Sequence, residues 1–429
     1  MDTLMHLRIT NGRVIDPANG VDGVQDICIA DGRIHAIGDT PAGFHTDREI
    51  DASGLIVCPG LVDLSARLRE PGAEHKATIA SETRAAAGAG ITTLCCPPDT
   101  DPVIDTPAVA ELIRSRAAAA GHARIVPLGA LTQGLAGASL SEMAALKEAG
   151  CIGVSNAGKP ITNNHLLRCA MEYAATHGLM VFLHPEDEWL RNNGCMHEGA
   201  ISTRLGLPAI PESAETAAVA QQLVLIEQTG VRAHFCRLST ARAARMIARA
   251  RYDGLPVSAD VAAHQLYLTE MDVADFNSQC HVIPPLRTQR DRDGLRAALT
   301  RGTISAICSD HQPHEPDAKL APFSATAPGI SALETLLPLV LRLVDEDVLP
   351  LGDALAALTI HPARILGIDA GTLTLGAHAD VCIFDPQRYW EITPATLLSR
   401  GLNTPFMNWE FKGRVTHTLL AGKIVHEVP

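Results

Sequence analysis

The chain has 429 residues, of which 46% are hydrophobic and only 3% aromatic. That length accommodates one large domain and a smaller one, packed mainly by Ala, Val, Leu and Ile. Lys and Arg number 35 and Asp and Glu 48, a formal net charge of -13, so an acidic surface without a basic stripe argues against nucleic acid or anionic membranes as partners. Met1 to His6 show no charged segment leading into an apolar run, so no secretory signal is expected. No apolar stretch is long enough to span a bilayer. The eleven cysteines are scattered rather than spaced as a disulfide framework; reduced thiols in a cytoplasmic protein are the expectation.

Residues 5–57 read as short strands and tight turns. The stretch 7–15 turns at Asn11-Gly12 and the stretch 27–37 at Asp31-Gly32. Both dipeptides tolerate positive φ, which predicts type I′ hairpins. From about 58 to 365 short apolar strands (91–95, 125–128, 153–154, 180–183, 233–236, 304–308) alternate with Ala-rich helical segments, among them 76–89, 106–119, 164–177 and 216–228. That alternation predicts a parallel sheet with right-handed crossovers. The C-terminal stretch returns to strands, at 380–384 and in a hairpin over 413–425 around Ala421-Gly422. The expected architecture is α/β: a TIM-type (β/α)8 barrel over 58–365, with a small β-sandwich built from residues 1–57 and 366–429. Any site would lie at the C-terminal ends of the barrel strands.

Several motifs fall at those ends. In order they are Asp63-Leu-Ser-Ala-Arg-Leu-Arg-Glu-Pro-Gly72, Pro97-Pro-Asp-Thr-Asp-Pro102, Ser155-Asn-Ala-Gly158, His184-Pro-Glu-Asp187, His234-Phe-Cys-Arg-Leu-Ser-Thr240, Ile283-Pro-Pro-Leu-Arg287 and Ser309-Asp-His-Gln-Pro-His314. Asn403-Thr-Pro-Phe406 and Trp409-Glu-Phe-Lys-Gly-Arg414 follow. Together, and almost end to end, they resemble dihydroorotase, a cyclic amidohydrolase that closes carbamoyl aspartate to dihydroorotate on a zinc centre.

The resemblance implies a damaged metal site. The family's His-x-His falls on Ser65 and Arg67, its bridging acid on Asn156 or Ala157, and its sixth-strand histidine on Arg237. The fifth-strand histidine is kept as His184, and the last-strand aspartate, ligand and general base in the family, as Asp310. A serine hydroxyl is a poor ligand and a guanidinium cannot lose its proton to become one. A catalytic zinc needs about three protein ligands and an open position, so no cofactor is expected. On the substrate side Arg69 and His314 remain, but the family's asparagines fall on Asp99 and Ile283. Asp99 would repel a substrate carboxylate.

Bland readings stand beside these. His184 fits a satisfied core histidine and Asp310 a counter-ion of Arg67 or Arg237. A carboxylate in a barrel mouth stays ionised only beside a cation, and a guanidinium's planar fork is suited to grip it with both arms. Cys95, Cys96, Cys236 and Cys308 are expected to be core thiols rather than a new zinc site. His311 and His314 read as relics of the substrate pocket, and His75 as a solvated residue at a helix start. The resemblance further implies a pseudo-dihydroorotase of pyrimidine biosynthesis, a scaffold in hetero-oligomeric complex with aspartate carbamoyltransferase. Two other readings stay open: an amidohydrolase with an atypical metal site, and an anion-binding sensor using Arg69 and His314.

Overall fold

The structure is a computed structural model and describes residues 5–428; of the segment read for a secretory signal, residues 1–4 lie outside the described residues. Eight parallel strands run in order around a barrel: Leu61–Asp63, Ile91–Cys96, Arg124–Pro127 continued by Gly129–Ala130, Gly153–Ser155, Met180–Leu183, Ala233–Phe235, Val257–Ala262 and Ala306–Cys308. The ring closes between the last strand and the first, through the parallel bridge Ala66 to His311 and the bond from the His311 backbone N–H to Ser65 O at 3.1 Å. Each strand leads to a helix on the outside. The first, Ile79–Gly88, is typical of how the sequence specifies them. Thr78 and Ser81 form a reciprocal capping box, an Ala-rich body follows, and the helix stops at Ala89-Gly90, where Gly90 takes φ 80°.

The smaller layer is a sandwich of two sheets. One has four strands in the order Arg33–Ile37, Ile27–Ala30, Leu7–Thr10, Arg48–Asp51; the other has six, in the order Lys423–Glu427, Glu410–Leu420, Val381–Glu391, Ile56–Pro59, Arg13–Asp16, Val21–Val24. The second sheet joins both ends of the chain, because Ile56–Pro59 pairs with Val381–Glu391. The apolar filling between the two sheets, including Leu7, Ile9, Val57, Val381 and Leu419, is fully buried.

Two of the three expected hairpins form, at Asp31-Gly32 and Ala421-Gly422, with both residues of each at positive φ. The third does not. Leu7–Thr10 and Arg13–Asp16 belong to different sheets, so Asn11-Gly12 is a corner between layers. Asn11 alone takes positive φ, and a Cβ at Gly12 would stand 2.6 Å from Val57 Cγ2. The glycine admits the opposite sheet rather than closing a turn. Within the barrel the strand Val257–Ala262 escaped the sequence reading, because Ser258 and Asp260 alternate with its small apolar residues.

No helix of the described residues is long and apolar enough to cross a membrane.

Candidate functional site

The mouth of the barrel brings together residues from its first, fifth, sixth and eighth strands. Four of the positions singled out in the sequence sit there on left-handed backbone: Arg69 (φ 64°), Ala157 (φ 49°), Arg237 (φ 56°) and Asp310 (φ 48°). Non-glycine residues seldom adopt that region, and its use clusters at functional sites because the surroundings must enforce it. Around Arg237 and Asp310 buried carboxylates pin the backbone. Asp63, with no exposure, accepts the Ser309 backbone N–H at 2.8 Å and the Ser309 hydroxyl, fastening the last strand to the first. Burial pushes its carboxyl up to about 7. Asp260 takes the Arg237 backbone N–H on one oxygen and faces His234 Nε2 at 3.0 Å on the other. Glu215 receives the backbone N–H groups of Ser239 and Thr240, both at 3.0 Å, and their hydroxyls. None of these acids emerged from the sequence, although an acid inside an otherwise apolar barrel strand is a readable signal for Asp63 and Asp260.

Asp310 is the centre of the mouth. It is 2% exposed. Its Oδ1 accepts from Arg237 Nη1, from Arg67 Nη1 at 3.3 Å and from Ser65 Oγ at 3.3 Å; its Oδ2 accepts from Gln312 Nε2 at 3.3 Å. Burial alone would raise its pKa, but Arg237 and then Arg67 outweigh it and hold the carboxyl at about 2. The three residues that the family resemblance sets at histidine-ligand positions, Ser65, Arg67 and Arg237, all donate to one oxygen of Asp310.

The grip is not the two-armed one expected. Arg237 splits its fork: Nη1 goes to Asp310, while Nη2 faces His184 Nδ1 at 3.3 Å. A guanidinium has no acceptor, so His184 must present a lone pair at Nδ1 and carry its proton on Nε2. Burial and then the charge of Arg237 keep that imidazole neutral, far below its usual pKa. Arg67 divides likewise between Asp310 and Asp99, whose Oδ2 accepts from Arg67 Nε at 2.7 Å. Asp99 is therefore a partner of Arg67, and its carboxyl stays below the usual range because Arg67 overcomes the cost of burial.

Other expected site residues do other work. Asn156 turns its side chain to Thr132 Oγ1 at 2.7 Å and Lys159 O at 2.7 Å, away from Asp310. Ala157 offers no donor. Ile283 is partly exposed beside the rigid Pro284-Pro285 segment. His314 accepts from Lys76 Nζ at Nδ1 (3.1 Å) and donates from Nε2 to Pro328 O (3.0 Å), with Arg69 Nη2 also 3.0 Å from Nε2. Burial, Arg69 and Lys76 lower its pKa to about 3. His311 is not a pocket residue. Fully buried, it accepts the Ala332 N–H at 3.0 Å and faces Glu82 at 2.9 Å, where it ties the last strand to the first helix. His75 is exposed, but the helix begins four residues later, at Ile79.

The donor set does not fit the family's zinc centre. Both surviving ligand side chains are engaged by a guanidinium that occupies the space between them, and two fixed positive charges face any incoming cation. Among the described residues His234, Cys236 and Asp260 bring ligand atoms within 4.8 Å of one another. Both nitrogens of that imidazole are already taken, by Ser258 Oγ at 2.8 Å and by Asp260. Burial pushes the Cys236 thiol up, away from thiolate. The cluster braces Arg237 from behind.

The match to known proteins agrees with this frame. Residues 54–243 match the model of dihydro-orotase-like proteins and residues 293–426 that of an amidohydrolase family. A dihydroorotase-like protein of Pseudomonas putida is 52% identical over 422 residues, 98% of this chain and 99% of the relative. The chain belongs to the dihydroorotase-like family. A second such protein, from Pseudomonas aeruginosa, is 50% identical over 99% of this chain and all of the relative. A protein of Geobacter sp. named dihydroorotase is 43% identical over the same share. Among solved structures, L-hydantoinase from Arthrobacter aurescens superposes with a TM-score of 0.88 at 23% identity, covering 99% of this chain and 96% of its own. At that identity the likeness concerns the fold, an amidohydrolase barrel.

Proposed function

We propose that this member of the family is a non-catalytic dihydroorotase homologue that serves pyrimidine biosynthesis as an assembly subunit for aspartate carbamoyltransferase, holds no zinc and works in the cytoplasm. The observation that carries the first half is the convergence of Ser65, Arg67 and Arg237 on Asp310. The aspartate that a family enzyme needs as ligand and base is held ionised at about 2 by fixed cations, and so is a very weak base at neutral pH. A metal that polarises the cyclic amide and activates water has no place between Arg237, His184 and Asp310. The second half, the partner, rests on the family resemblance alone; a barrel without chemistry keeps a large folded surface on which an assembly can form. The experiment is co-expression with aspartate carbamoyltransferase, followed by gel filtration at micromolar concentration and transferase assay. Co-elution with a change in transferase activity supports the reading; separate elution with unchanged activity overturns it.

One observation favours a second reading, an anion-binding sensor in the same mouth. Lys319 is a buried cation and Arg69 a partly buried one, neither with a carboxylate in ion-pair contact among the described residues. Arg69 Nε donates to Pro313 O at 2.9 Å, and Lys319 Nζ reaches only His281 O, at 3.4 Å. Burial first, and then the charge of Arg67, lowers the Arg69 pKa to about 10; burial first, with repulsion from Arg69, lowers that of Lys319 to about 8. A melting shift with carbamoyl aspartate in the absence of turnover would favour this reading.

A further inference from the structure

A second constellation lies where barrel meets sandwich. None of the residues lining it belongs to the mouth. A cavity of about 200 Å³ opens between the first barrel helix, the helix Leu333–Asp345 and the strands Val381–Glu391 and Glu410–Leu420. Its apolar wall includes Leu337 and Leu398, and its polar groups are Trp390, Arg414, His426 and Glu334.

The indole is fixed, since Trp390 Nε1 donates to Gly413 O at 3.1 Å. Arg414 lies over its face, with Cζ 5.0 Å from the ring centroid. Among the described residues the guanidinium makes no ion pair and no side-chain hydrogen bond. Burial and the neighbouring Arg388 lower its pKa. His426 likewise has no side-chain partner among the described residues, and burial followed by Arg414 keeps it neutral, an N–H donor rather than a cation. Among the described residues lining the cavity, the acid is Glu334. Its two oxygens are occupied by the backbone N–H groups of Leu398 (2.7 Å) and Ser399 (3.1 Å), and burial pushes its carboxyl up to about 7.

We propose that this cavity is a binding site for a small planar ring carboxylate, with the ring against Trp390 and the apolar wall and the carboxylate held by Arg414 and His426. A stacked, unpaired guanidinium is a preorganised receptor for a carboxylate. An N–H donor beside it supplies the second contact. The size agrees: a dry cavity of about 150 Å³ admits a benzene ring, which leaves room here for one carboxylate. Glu334 is spent on backbone N–H groups and half protonated at neutral pH, so it opposes such a ligand weakly.

Trp390 is its own reporter. The chain has three tryptophans, so the full-length Trp189→Phe/Trp409→Phe variant leaves Trp390 as the single indole. Titrated with benzoate, its emission should change saturably. Benzamide, the same ring without charge, should bind at least about tenfold more weakly, as should cyclohexanecarboxylate, the same charge without a planar ring. Arg414→Gln and His426→Leu should each weaken benzoate by about tenfold. If Arg414→Gln does not fold, His426→Leu and the two control ligands still decide. No saturable change at millimolar benzoate, benzamide binding as tightly as benzoate, or wild-type affinity in the folded variants would overturn the proposal.

Discussion

Replacing Arg237 with alanine tests the electrostatics of the mouth most directly. Its side chain is 6% exposed and that of Asp310 is 2%, so the substitution leaves a carboxylate in a site built around a cation. Breaking such a buried pair costs about 3–5 kcal/mol. Three donors remain on Asp310, each at 3.3 Å: Arg67, Ser65 and Gln312. The Arg67 contact alone has a gross Coulomb energy of roughly 5 kcal/mol at an effective dielectric of about 20. Much of that is already committed to Asp99 and to desolvation. Arg237→Ala should therefore fall at the lower end, about 3 kcal/mol. Asp310→Ala strands Arg237 between a neutral imidazole and nothing else and should cost as much. The double substitution removes both charges, and its cost should be well below the sum.

The pH dependence gives a second readout of the same pair. The Asp310 pKa moves from 3.8 to about 2 on folding, which corresponds to about 2 kcal/mol. A folded-state pKa below the unfolded one stabilises above the unfolded value, and that stability is lost as pH falls from about 4 towards about 2. In Arg237→Ala this acid-sensitive increment should shrink. Chemical denaturation of the four proteins of the cycle, at pH 7 and between pH 4 and 2, measures both quantities. A cost under about 0.5 kcal/mol, the range of an ordinary surface substitution, or strict additivity would refute the reasoning.

Ser65→His with Arg67→His should yield neither stoichiometric zinc nor dihydroorotase turnover, since Arg237 still spans His184 and Asp310 and groups that act as a unit are non-additive; elemental analysis and an amide-hydrolysis assay check it. Burial holds His264 at about 4 in the folded chain, below its unfolded value. Stability should therefore fall as pH drops from about 6.5 to about 4, and His264→Leu should flatten that slope in denaturation curves. Nine of the eleven cysteines are buried, and only Cys169 and Cys236 are partly exposed. Ellman's reagent should label Cys169 first and Cys236 slowly, because burial raises that thiol's pKa. More than two fast thiols in the native protein would contradict the packing of the barrel interior.

Local signals in the chain were enough for much of this protein. Ala-rich helices alternating with short apolar strands state a parallel barrel, because a strand-to-strand crossover needs a helix to cover it. Asp31-Gly32 states its turn, because positive φ at two successive positions comes most readily to Asp or Asn followed by Gly; Ala421-Gly422 is marked by its glycine alone. The residue types at 65, 67 and 237, a serine and two arginines, exclude imidazole ligation from those positions without any coordinates. What the linear order could not state is where each side chain's second partner lies. Asn11-Gly12 looks like a hairpin until Val57 is seen across it. His311 looks like a pocket residue until Glu82, more than two hundred positions away, is found at 2.9 Å. Arg237 looks like a two-armed clasp until His184 takes one arm. In each case the deciding contact joins segments apart in the chain, which the packing of the sandwich or the barrel brings together. The same closure sets Ser65, Arg67 and Arg237, from two strands, around one oxygen of Asp310 from a third. Burial there makes an unpaired carboxylate too costly to keep, so the cations of the substituted positions are held in a single arrangement.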